Sequence, residues 1–142
     1  MELGYIMFRV LLGHLVADYL LQNNWMALNK SHNWKICVLH CVIYSFCICL
    51  FLWKLSPLLF VLVFLTHYPI DRYSLGQKWL DLVKGRNVLE AAFIKEDDYK
   101  DGVDFRAIRV AFSALVYVVA DNTLHFVLMW GVIVGLRYAG LF

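Results

Sequence analysis

Four long apolar runs, at about 5–22, 36–53, 58–73 and 112–136, constrain this chain more than any other feature. Each is close to the roughly 17 to 25 residues that a helix needs to cross a bilayer core, the third being a little short. Backbone N–H and C=O groups cannot stay unpaired in hydrocarbon, so runs of this kind cross as helices. The composition agrees: 62% of the 142 residues are hydrophobic and mean hydropathy is +0.65. That is more apolar surface than so short a soluble chain can enclose. The expected fold is all-α: a single transmembrane domain over residues 1–142, built as an integral membrane four-helix bundle with short antiparallel connections.

The basic residues give the orientation. Lys30, Lys35, Arg72, Lys78, Lys84, Arg86, Lys95, Lys100, Arg106 and Arg109 fall on one side of the expected spans, against Arg9, Lys54 and Arg137 on the other. Basic loops remain cytoplasmic, so a multi-pass protein of the inner (cytoplasmic) membrane is expected, with both termini away from the cytoplasm. Residues 74–104, between spans three and four, form a cytoplasmic segment. Leu75, Trp79, Leu82 and Val83 share one helical face and Gln77, Lys78, Asp81 and Lys84 the other, which predicts an amphipathic helix on the leaflet, ended by Gly85. The run KEDDYKDGVD at 95–104 has part of a calcium-loop pattern, at Asp97, Tyr99, Asp101 and Gly102. It lacks the closing Glu and reads as a solvated loop. Asp104 suits the N-cap of the last helix. That helix should continue to Arg137, about 50 Å at 1.5 Å per residue, with Arg106 and Arg109 projecting from the membrane. No basic-aromatic tract points to nucleic acid. His14 and Asp18 interrupt the first apolar run, so no cleavable signal peptide is expected.

Those same spans carry ionisable side chains. His14, Asp18 and Gln22 lie in the first, His40 in the second, His67 and Asp71 in the third, and Asp121, Asn122 and His125 in the fourth. Three His/Asp pairs are four residues apart, which puts both members on one helix face. A charge at mid-membrane costs roughly 2.5–3.5 kcal/mol on the insertion scale, so seven such groups must face one another, a metal or water. All seven can occupy one layer in the cytoplasmic half. Their chemistry suits a divalent transition metal, and their number suits two ions of Zn, Mn or Fe. His14, Asp18, His67, Asp71, Asp121 and His125 are the expected ligands, with His40 a ligand or a catalytic general base. A metal-bound hydroxide could then hydrolyse a lipid-linked or phosphorylated substrate. Two other readings stand beside it: a metal-ion or proton transporter, which would need a homo-oligomer, and a non-catalytic membrane partner whose pairs merely tie helices together.

Other residues have simpler readings. Cys37, Cys41, Cys47 and Cys49 crowd one span and read as small buried packing residues, although Cys37 and Cys41 flank His40. Gln22 and Asn122 suit outer-layer support or helix ties. His32 reads as a solvated loop residue within a polar loop at 23–35. Pro69 should free the carbonyl of Leu65 and kink the third span. Arg72 suits a headgroup contact, or a phosphate.

The run GHLVADYLLQ, with Trp25 and Met26 after it, resembles the opening signature of an uncharacterised family of short phage and bacterial membrane proteins, a domain of unknown function. The matching positions are His14, Leu15, Asp18, Tyr19, Leu21, Gln22, Trp25 and Met26. Asn29, Lys30, Ser31, Trp34 and His40 are similar to a second stretch, with His40 one residue further along. His67 and Asp71 in THYPID, and Asp121 and His125 in DNTLH, resemble the remaining elements. Asn122 stands where the family would have Gln, and the Cys-rich second span is a further departure. The resemblance implies a membrane protein and is compatible with a metal site, by analogy with other small membrane-bound hydrolases.

Overall fold

The computed structural model describes residues 2–84, 99–100 and 103–141. Helix α1 (Leu3–Leu15) passes directly into a π-helix (Val16–Leu21). Then come α2 (Asn24–Asn29), α3 (Trp34–Phe51), α4 (Pro57–Tyr73) and α5 (Leu75–Lys84). A two-rung antiparallel ladder pairs β1 (Tyr99–Lys100) with β2 (Val103–Asp104), directly before α6 (Phe105–Tyr138). Three stretches are long and apolar enough to cross a membrane: Leu3–Leu21, Trp34–Phe51 and Phe105–Tyr138. Helix α4, the expected third span, has 17 residues and is shorter than all three.

Local chemistry sets the boundaries. The polar loop expected at 23–35 contains a helix, because Asn23 Oδ1 accepts from the Met26 amide at 2.9 Å and caps α2. Asn33 Oδ1 accepts from the Lys35 amide at 3.0 Å and starts α3. Pro57 opens α4, where its missing N–H costs nothing. The helix continues through Pro69 to Tyr73. The expected helix stop at Gly85, the calcium-loop pattern and the side-chain cap from Asp104 lie outside the described residues.

The chain forms two compact units, Met1–Tyr73 with His125–Phe142, and Ser74–Leu124. In the first, Ile6, Val10 and Ala17 pack with Tyr44, Cys47 and Ile48 of α3, Leu59 and Val63 of α4, and Met129 and Ile133 of α6. Close approach of α1 to α3 requires Gly13, where a Cβ would lie 3.1 Å from Phe51 Cβ and 3.2 Å from Ile48 Cδ1. Cys47 Sγ donates to the Gly13 carbonyl across the same contact, at 3.4 Å. At one end, Lys54 Nζ donates to the Leu141 carbonyl at 2.7 Å, and the Arg9 guanidinium lies 5.6 Å from the rings of Tyr5 and Trp53. Many outward-facing positions are apolar, among them Phe8, Leu20, Phe46, Val61, Leu65 and Trp130, while four histidines are buried beside the apolar core. An apolar exterior of this kind suits a lipid surround.

In the second unit, Leu80 is the buried apolar residue of α5, and Trp79, Leu82 and Val83 are exposed. Gly76 brings α5 against α6, since a Cβ there would lie 2.7 Å from Asp121 Oδ1. The apolar face read from the sequence therefore points outward, and α5 is held through Gly76 and Leu80.

Replacing Gly13 with Leu should overpack the α1–α3 contact. We expect a destabilisation of about 1–3 kcal/mol, read as a lower midpoint for SDS-induced unfolding followed by circular dichroism. An unchanged midpoint would mean that the two helices can part without loss.

Candidate metal centre

Six of the seven His and Asp candidates lie in the first unit and meet there. The π-helix carries Asp18, with the Gln22 amide reaching back five residues to the Ala17 carbonyl at 3.1 Å. Single π-helical turns are often found at functional positions. His14 lies one turn earlier on α1, its Nδ1 3.3 Å from Asp18 Oδ2. His40 comes from α3, His67 and Asp71 from α4, and His125 from α6. All four are buried, as is His14, and His40 has no exposed surface.

His40 Nε2 is the hub. It lies 3.0 Å from His67 Nε2, 3.3 Å from Asp18 Oδ1 and 3.1 Å from Asp71 Oδ2. His67 Nε2 is 3.8 Å from the same Asp18 oxygen and 3.1 Å from the same Asp71 oxygen. Ligand atoms placed 2.0–2.1 Å from a tetrahedral zinc stand about 3.3 Å apart, and these spacings bracket that value. Asp18 Oδ1 and Asp71 Oδ2 are both buried, so these oxygens meet side chains and not solvent. Asp18, His40 and His67 could hold a metal ion, each offering a donor atom within 4.8 Å of the others, and so could Cys41, His67 and Asp71.

His125 Nε2 approaches the other Asp71 oxygen at 3.4 Å. Asp121, one helical turn earlier on α6, belongs to the second unit, where it is partly buried beside Gly76.

Two residues join the site that its sequence pattern had not singled out. Lys30, one residue beyond α2, places Nζ 2.9 Å from Asp71 Oδ2 and donates to Gln22 Oε1 at 2.9 Å. Buried charge is tolerable only with such compensation. Tyr44 places its hydroxyl 2.9 Å from His14 Nδ1 and stacks on His67 with centroids 3.6 Å apart. His125 stacks on His67 at 4.1 Å. A metal-bound imidazole normally donates its second nitrogen to a carboxylate or carbonyl. Here Nδ1 of both His40 and His67 is buried without a hydrogen-bond partner, and the His67 ring is held between these stacked rings and the contacts of its Nε2. Tyr44 follows His40 by four residues, the same spacing that marks the His/Asp pairs, and that was the available signal.

The remaining polar candidates are placed simply. Arg72 Nη1 donates to the Ser31 carbonyl. His32 is exposed and bonded to Ser31. Asn122 Nδ2 donates to Val118 in its own helix at 2.6 Å. All four cysteines are free thiols and buried.

Tyr44→Phe keeps the ring on His67 and loses only the hydroxyl contact to His14. It should cost about 1 kcal/mol, whereas Tyr44→Ala, which also leaves a cavity, should cost about 3–5 kcal/mol. SDS unfolding midpoints of the two variants check this, and equal losses would mean that stacking contributes nothing.

Neither a curated protein nor a solved structure matches the chain. A family model described as "Protein of unknown function (DUF3307)" matches residues 6–139. With nearly its whole length matched, the chain belongs to this family of unknown function.

Proposed function

We propose that this protein is a membrane-embedded metal-dependent hydrolase acting on a lipid-linked or phosphorylated substrate. The observation that carries the reading is the meeting of His40 Nε2, His67 Nε2, Asp18 Oδ1 and Asp71 Oδ2, with all five measured separations among these atoms between 3.0 and 3.8 Å. In this reading α1, α3, α4 and α6 all cross the bilayer. Helix α4 is about 26 Å long at 1.5 Å per residue, a little less than a hydrocarbon core of about 30 Å. Helix α5 lies on the cytoplasmic leaflet with Trp79, Leu82 and Val83 as its anchors, which is supported by their exposure.

The chemistry follows from the donors. Imidazole and carboxylate suit Zn, Mn or Fe. A bound divalent ion would lower the pKa of its water and supply hydroxide as nucleophile. His40 serves as ligand or as the base that takes the water's proton. Lys30, already at the Asp71 carboxylate, gives an anionic substrate a cation to meet.

A second reading has its own support. His14 with Tyr44, and His40 with His67, form two hydrogen-bonded links that would suit proton movement between helices.

Metal content of the detergent-purified protein, measured by mass spectrometry beside a His67→Ala/Asp71→Ala double variant, separates the two. One or two equivalents of a transition metal in the wild type, lost in the variant, are expected. A wild type that stays metal-free after incubation with Zn, Mn and Fe would sink the hydrolase reading and leave proton transfer or helix ties.

A further inference from the structure

The four cysteines of α3 are not equivalent. Cys47 donates to the Gly13 carbonyl, and Cys37 reaches the Tyr68 carbonyl at 3.9 Å, so each has a backbone acceptor. Cys49 lies about 12 Å along the helix from Cys41, at 1.5 Å per residue. Cys41 is fully buried, and among the described residues it is the cysteine that falls within a set of convergent donors. Its Sγ, a nitrogen of His67 and a carboxylate oxygen of Asp71 lie within 4.8 Å of one another.

Packing alone does not ask a thiol to face a carboxylate and an imidazole. One of the neighbouring polar atoms, His67 Nδ1, is also buried without a hydrogen-bond partner. A ring nitrogen left in this state carries a desolvation cost that a bound ion would relieve.

We propose that Cys41, His67 and Asp71 form a second, sulfur-containing metal subsite that shares His67 and Asp71 with the Asp18–His40–His67–Asp71 site above and takes Zn²⁺ or Co²⁺. The inference rests on the metal reading above and deepens it, because a thiolate tells ions apart. Sulfur favours zinc and cobalt over manganese and magnesium, which the all-nitrogen-and-oxygen set would also accept. With the first set filled, loading exchanges two protons for the ion: the Cys41 S–H bond and the remaining ring N–H bond of His67 break, both protons leave to water, the sulfur bonds the divalent ion and the His67 imidazolate bridges the two ions, with no change of oxidation state.

Cobalt reports both subsites in one experiment. The full chain in detergent is titrated with Co²⁺ and its absorbance followed. Visible ligand-field bands report bound cobalt, and a near-ultraviolet sulfur-to-cobalt charge-transfer band reports a thiolate ligand. The wild type should show both. Cys41→Ala should lose the charge-transfer band and retain visible bands from the first set, and Cys49→Ala should keep both. Cys41→Ser, nearly equal in volume, carries the same expectation if Cys41→Ala does not fold. Visible bands without charge transfer in the wild type, or charge transfer that survives loss of Cys41, would overturn the subsite and leave the metal reading standing. No cobalt bands in the wild type would overturn both.

Discussion

The Asp71 carboxylate is almost wholly enclosed, and a charge in that position demands compensation from whatever helices surround it. Four groups from three other segments and its own helix supply it: Lys30 beyond α2, His40 from α3, His125 from α6 and His67 from α4. Each was delivered by a separate local decision. The Asn23 cap starts the short helix that returns Lys30 to the interior, and the Asn33 cap starts the helix that presents His40. Removing one partner from a buried pair is more damaging than replacing the whole pair with apolar groups, so these segments depend on one another through a single side chain. The apolar exterior then follows as a division of labour, with polar groups meeting inside and hydrocarbon facing out.

Much of this was legible because helix periodicity is a local rule. His67 with Asp71, and His14 with Asp18, announce a shared face four residues apart, and three of the four apolar runs announce helices long enough to cross a membrane. What the periodicity could not convey was the contribution of loops. Lys30 reads in the sequence as a basic loop residue within a stretch that resembles the family, but nothing local says that α2 will carry it back to Asp71. The outward face of α5 was readable from its spacing, but Leu80 and Gly76, which hold that helix, depend on what packs against them.

The cysteines illustrate a different limit. Residue type alone favours packing for all four, and all four are buried free thiols. Only three-dimensional neighbours separate Cys41 from Cys47, one near a carboxylate and an imidazole, the other bonded to a backbone carbonyl. Tyr44 is similar: an aromatic residue amid apolar ones reads as core, yet its hydroxyl and its ring each serve a different histidine.

The π-helical stretch at Val16–Leu21 also fixes how this chain can change in length. A π turn holds one residue more than an α turn, so the first helix behaves as though a residue had been inserted beside Asp18. Deleting any one residue there would allow an uninterrupted α-helix to form. The residues beyond the deletion would then keep nearly the same phase relative to Leu11, Leu12 and Leu15, which face outward, because the π turn already absorbs the extra residue. What would change is the turn itself, and with it the place of the Asp18 carboxylate beside His14 and His40. Along this helix one residue of length therefore belongs to the site and not to the lipid-facing stripe.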